Sequence, residues 1–167
     1  MILYHHTDPA YLPSIMEVGL LARPWGYDLD NSPEDRATLS AILHHRSVVW
    51  LTTQSSTSLT KADIAVLRQH GGRDKMIASG LWLERNGGKL VALKVDIPKH
   101  SKKLARFLAW VKKNEAVILD ENGVARCNDA GELWTTASAV SDYIPAGAQW
   151  YIHFGDIPPK RITVPKH

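Results

Sequence analysis

Short runs of β-branched, aromatic and aliphatic residues recur along this chain, several of them bounded by Pro, Gly, Asn or Ser, and that punctuation favours strands over long helices. The first run is Met1-Ile2-Leu3-Tyr4. Ser47-Val48-Val49-Trp50-Leu51-Thr52 reads as a second strand. Asn86-Gly87-Gly88 marks a hairpin between residues 81–85 and 89–97, because Asn and Gly accept the positive φ of a tight turn, and Pro98 ends the second arm. Further strand candidates lie at residues 116–119, 133–136 and 149–154, and Arg161-Ile162-Thr163-Val164 is placed to close the sheet. Helical patterns are few and sit at the front and middle, so the expected fold class is α+β.

The chain has 167 residues, which suits a single domain over 1–167 with a sizeable core. Hydrophobic residues make up 44% and charged residues 22%, the balance of a globular chain. No apolar run is long enough to span a bilayer, and the first residues lack the basic-then-apolar pattern of a signal peptide, so a cytoplasmic protein without membrane contact is expected. The lone Cys127 excludes an internal disulfide framework and a thiolate zinc cluster. Its neighbours Asn128-Asp129 offer no base to activate it.

The first helix has two competing start signals, Asp8-Pro9 and Pro13. An irregular turn followed by a regular helix over residues 13–18 reconciles them, with Leu12, Ile15 and Met16 facing the core and Gly19 supplying the left-handed terminus. Residues 23–35 read as a long loop in which Trp25 and Tyr27 either form a binding wall or pin the loop to the body. Residues 37–45 suggest a short helix with Leu39, Ile42 and Leu43 on one side, and residues 61–69 another, broken by Gly71-Gly72.

Net charge is +3, and part of the excess is local. Residues 99–113 contain Lys99, Lys102, Lys103, Arg106, Lys112 and Lys113 without an acid, while Leu104, Phe107, Leu108 and Val111 recur at helical spacing. This pattern predicts an amphipathic helix whose cationic face is either solvated or turned to a nucleic acid.

Chemistry-bearing motifs narrow the field mostly by exclusion. The eight histidines include the pairs His5-His6 and His44-His45, but adjacent strand side chains point to opposite faces, and no His-Glu-x-x-His element accompanies them, so no metal site is expected. Glycine-rich phosphate loops and a Gly-x-Ser-x-Gly nucleophile elbow are likewise missing from the sequence. What remains is an opening strand that ends on Tyr4, His5, His6 and Thr7, an aromatic surface with imidazole and hydroxyl groups at the rim of a sheet. A surface histidine pair after an edge strand is the plain alternative.

Taken in order, Leu3-Tyr4-His5-His6-Thr7, Val49-Trp50-Leu51-Thr52 and Gln149-Trp150-Tyr151-Ile152-His153-Phe154 resemble the ADP-ribosyltransferase fold. Residues 15–20 echo that family's Ile-x-x-x-Gly-Leu helix end, and residues 90–98 look like its central strand. The resemblance implies a split, mixed or antiparallel sheet whose cleft binds NAD as substrate. By the same resemblance His5 anchors the nicotinamide ribose and carboxamide, Thr7 meets the adenosine side, and Tyr4, Trp50 or Tyr151 stacks on the nicotinamide. Thr52 stands on the middle shelf, and Arg23 and Arg46 are either pyrophosphate contacts or surface charges. Many such transferases place a glutamate where this chain has Gln149, which lacks the charge to stabilise an oxocarbenium-like centre or act as a base. Glu132 is then the acid under a shifted register, or the acceptor supplies its own nucleophile, or the domain binds without turnover.

The opening looks similar to the DNA-modifying toxins of the family, to its PARP-like members and to the RNA 2′-phosphotransferases. The expected activity is therefore transfer of ADP-ribose from NAD to a nucleic-acid or protein acceptor, with His5 and Gln149 at the catalytic positions. A non-catalytic nucleic-acid or protein-binding module, supported by the basic segment and six tryptophans, and an NAD glycohydrolase are the alternatives.

Overall fold

β1 (Ile2–Thr7) is paired along its whole length with β3 (Val91–Asp96), from Ile2 opposite Asp96 to Thr7 opposite Val91. Around this pair the computed structural model, which describes residues 1–24, 40–55, 90–120, 122–138 and 150–165, places β2 (Val48–Thr52), β4 (Leu104–Arg106), β5 (Trp150–Phe154) and β6 (Ile162–Thr163). The described strands form one antiparallel sheet in the order β4-β5-β2-β1-β3-β6. With α-helices α1 (Leu12–Val18) and α2 (Phe107–Lys113) beside it, the architecture is α+β.

Strand alternation divides the apolar residues into two cores. Leu3, Val49, Leu51, Leu93, Val95 and Ile162 face one side, where Ile15, Leu20, Ile97 and Ile157 cover them. Val48 and Ile152 face the other side and meet Phe107, Val111, Ile118, Ile42 and Leu43. β2 is covered on both faces, so it reads as a nearly continuous apolar run. β3 alternates instead, with Leu93 and Val95 buried and Lys94 and Asp96 exposed, which marks the second face of the sheet as uncovered on that side.

Both helix-start signals near the front are used. Asp8 Oδ1 accepts from the Ala10 N–H at 2.8 Å and opens a 3-10 turn, Pro9–Tyr11, and α1 follows directly with Pro13 in its first turn. Ile15 is buried and Leu12 packs beside it, but Met16 is 42% exposed, contrary to the periodicity. A helix of seven residues offers the sheet little more than one side-chain row, and Met16 lies a quarter turn from Ile15. Gly19 ends α1 at φ +93°, and a Cβ there would lie 2.2 Å from the Ile157 carbonyl oxygen. That close approach lets Leu20 and Ile157 exchange both backbone hydrogen bonds at 2.9 Å.

The expected basic helix over residues 99–113 is divided. Leu104, Ala105 and Arg106 pair with His153, Ile152 and Tyr151 as β4, and only Phe107 onward is helical. Pairing with β5 overrides the 3.6-residue pattern, sending Leu104 to the first core and Phe107 and Val111 to the second, while Leu108 is 41% exposed. The cations are divided as well: Lys102 and Lys103 flank an edge strand, and Lys112 and Lys113 sit in the last turn of α2, where positive charge complements the helix dipole.

Residues 116–119 and 133–136 form no strand of the sheet. They meet each other and residues 125–127 through isolated bridges, Val117 with Thr135, Leu119 with Ala125 and Cys127 with Leu133. Within this unit the backbones of Ile118, Arg126 and Trp134 donate to one another in a closed triangle of 2.7–2.8 Å hydrogen bonds. Ser40–Ile42 form the described part of the expected helix at residues 37–45, which ends on His44 and His45 at φ 51° and 58°. The Asn86-Gly87-Gly88 hairpin, the residue 61–69 helix, and Trp25 and Tyr27 lie outside the described residues. No helix among the described residues is long and apolar enough to cross a membrane.

Candidate functional site

The sheet opens between β1 and β2. Where β1 matches β3 residue by residue, it meets β2 in register at one pair, Tyr4 opposite Thr52, while β2 is paired along its length with β5. Two well-registered halves, β4-β5-β2 and β1-β3-β6, therefore share a short seam. Beyond it, the edge of β2 that faces β1 finds other partners: Val48 exchanges backbone hydrogen bonds with Arg23 at 2.9 and 3.0 Å, and the Trp50 carbonyl is taken by a side chain.

That side chain is His5, whose Nδ1 lies 2.9 Å from the Trp50 oxygen. A carbonyl only accepts, so Nδ1 carries the proton, and the neutral ring keeps its lone pair on Nε2. Burial pushes the His5 pKa below 6.5; the Trp50 carbonyl pulls it upward, and the neighbouring His6 adds to the depression. Ring and tautomer are thus set for accepting a hydrogen bond at Nε2. His6 works on the opposite face. The Gln54 N–H donates to Thr52 Oγ1 at 3.2 Å, curling the chain after β2, and His6 Nε2 donates to the Gln54 carbonyl at 2.9 Å.

Alternation sorts the candidate residues. His5 and Thr7 share the face of Leu3, and Tyr151, packed against the first core, lies on that face too. Tyr4, Trp50 and Thr52 lie on the other face, where Trp50 meets Trp150 edge-on at 6.0 Å and Phe107 at 4.8 Å.

No protein-family model, curated protein or solved structure matches the chain.

The remaining candidates are placed as follows. Arg23 joins the site through its backbone bridge to Val48, with its side chain exposed. Arg46 lies over the Phe154 ring at 3.7 Å, a cation–π contact. Glu132 is exposed in a turn, where its Oε2 accepts from Asn128 Nδ2 at 2.9 Å. Gln149 lies outside the described residues. Cys127 is exposed, and its Sγ donates weakly to the carbonyl of Ala125, two residues earlier. The second histidine pair holds local structure: His44 donates to the Asn114 carbonyl at 2.7 Å and packs edge-on against Trp110, and His45 meets Ser40 Oγ at 3.0 Å. Among the described residues no cluster of His, Cys, Asp or Glu could hold a metal ion.

Three groups escape a reading of residue types. The carbonyls of Trp50 and Gln54 orient the histidines, and backbone oxygens leave no mark in a sequence. Trp150 is half-buried, and its enclosed indole N–H has no hydrogen-bond partner among the described residues. A single aromatic in a strand run carries no signal for that.

Proposed function

We propose that the protein is an NAD-dependent ADP-ribosyltransferase-like enzyme of split-sheet type, acting on a nucleic-acid or protein acceptor. The observation that carries this reading is the His5 ring held across the β1–β2 seam, Nδ1 on the Trp50 carbonyl and Nε2 presenting a lone pair. The donor set fits the substrate. A neutral imidazole accepts from a ribose hydroxyl or a carboxamide N–H, Tyr151 offers a ring for stacking, and Thr7, two residues further on the same face, carries a buried hydroxyl about 7 Å along the strand.

In the proposed reaction the bond between nicotinamide and ribose breaks, nicotinamide leaves, and the acceptor nucleophile bonds to the ribose carbon. His5 binds and orients the ribose without giving up its Nδ1 proton, because the Trp50 oxygen holds it. Gln149 precedes the first residue of β5 in the chain and supplies an amide oxygen, not a carboxylate, so the acceptor itself must provide a strong nucleophile.

Isothermal titration with NAD, followed by mass spectrometry of nucleic acid and protein incubated with labelled NAD, tests the proposal. NAD binding lost in His5→Ala, with an ADP-ribose adduct formed by the wild type, is the expected result. Free ADP-ribose formed without an acceptor would turn the reading to a glycohydrolase, and binding without any product would turn it to a non-catalytic module. An absence of NAD binding by the wild type would sink it.

A further inference from the structure

We propose that the protein forms a twofold dimer in which the three-armed unit at residues 116–136 of one copy docks on the exposed side of α2 of the other. This stands independently of the nucleotide reading of His5. Ile118 is fully buried, Trp134 packs against the same second core, and the Arg126 guanidinium lies 5.3 Å from the centre of the Trp134 ring. Those three residues point inward. Alternation turns their neighbours outward, and the bridges pair them as Val117 with Thr135, Leu119 with Ala125 and Cys127 with Leu133, partners that share a face. Val117, Leu119 and Leu133 are 38%, 42% and 53% exposed, and Cys127 is exposed beside Leu133. Exposed apolar side chains grouped on one face mark an interaction surface.

Charge selects the occupant. Residues 114–138 contain Glu115, Asp120, Glu121, Asp129 and Glu132 against Arg126 alone, five acids to one cation in a chain of net charge +3. The preceding residues 99–113 hold six cations and no acid. At the end of that segment α2 exposes Leu108 and Lys112, neighbours one turn apart, and Lys113. An apolar side chain flanked by lysines complements an apolar face flanked by carboxylates, and each copy carries both. The two surfaces also adjoin. Asn114 and Glu115 alone separate α2 from Ala116, where the hydrogen bonds of the unit begin, and Phe107, Val111 and Ile118 share one core. Elements that cover the same sheet face side by side expose their far sides in the same direction. A twofold axis between them lets each copy give its helix to the other's acidic face, so that association closes at two. A specific interface buries about 800 Å² per partner, and the twofold arrangement brings both surfaces of each copy into it.

Sedimentation velocity at rising protein concentration, in low and high salt, tests the proposal. The wild type should pass from monomer to dimer, and at lower concentration in low salt than in high. Asp129→Lys on the acidic rim and Lys112→Glu on α2 should each weaken dimerisation about tenfold or more. Mixing these two variants should restore a dimer, because reversed charges then meet across one contact and native charges across the other. Leu108→Asp is a second α2 variant that should weaken the dimer without altering Lys112, and circular dichroism melts confirm that each variant is folded. Alkylation of Cys127 by iodoacetamide reports on the face itself and should slow in step with dimer formation. A wild type that stays monomeric at every concentration overturns the proposal. So does a dimer indifferent to these variants, a mixture that fails to recover, or a Cys127 that reacts at the monomer's rate within the dimer, since each would place the contact on another surface.

Discussion

The Nδ1 N–H of His5 and the main-chain oxygen of Trp50, 2.9 Å apart, join the two halves of the sheet next to their one registered pair. A strand ladder would ordinarily satisfy that carbonyl. Here an imidazole does so, and the substitution ties the protonation of a side chain to the geometry of the seam.

His5→Ala should therefore cost stability as well as ligand binding. Removing the donor leaves the Trp50 carbonyl to water or to no partner, for a loss of about 0.5–1.5 kcal/mol. Urea melts of the variant check this, and an unchanged midpoint would show that the bond contributes nothing to stability.

Acid should weaken the fold through the same residue. Folding lowers the His5 pKa from 6.5, so below that value the unfolded chain takes up a proton that the folded chain refuses. The His5 contribution is intact above 6.5, declines as pH falls from 6.5 toward the folded value, and is constant below it. Ring-proton NMR should show His5 titrating below 6.5, and His5→Ala should flatten the pH dependence of stability in that window. On the proposed reading, NAD affinity should decline at lower pH still, where the folded protein itself takes up the proton at Nε2.

Phe107→Ala and Leu108→Ala form a pair that tests where the strand ends and α2 begins. Phe107 is fully buried against Trp50, and truncation should cost about 3–5 kcal/mol. Leu108 is 41% exposed, and its truncation should change stability by no more than about 0.5 kcal/mol. Equal losses in thermal melts would restore the continuous amphipathic helix that the spacing suggests.

Gly19→Ala should be among the more damaging single-methyl additions. Its φ of +93° is strained for any L side chain, and the new Cβ would collide with the Ile157 carbonyl at 2.2 Å. A loss of more than about 1 kcal/mol follows from the backbone alone, and the collision adds to it. Melting of the variant, with Met16→Ala as an exposed comparison, measures the effect.

The α+β class, the β1, β2, β3 and β5 strands, and α1 with its glycine terminus are legible in the sequence because each rests on local chemistry: alternation, β-branching, a proline start, a residue free to adopt positive φ. Leu104 to Arg106 fail that test, since helical spacing and strand pairing compete there and only the presence of β5 decides between them. Residues 116–119 and 133–136 contain strand-like chemistry but find one another instead of the sheet. For the site, His5 and Thr7 follow from period two, whereas the division of Tyr4, Trp50 and Thr52 from Tyr151 depends on cross-strand register. No residue type encodes the opening of β1 from β2.

The Leu20–Ile157 bridge sets an order of events during synthesis. Leu20 leaves the ribosome long before Ile157, so the turn after α1 waits unclosed while most of the chain is made. β2 waits too, because β5, its partner along its full length, is also made late. For that interval the nascent chain shows an open, apolar strand edge, and its yield in a cell should depend on how quickly residues 150–157 arrive or on a chaperone that covers the edge meanwhile.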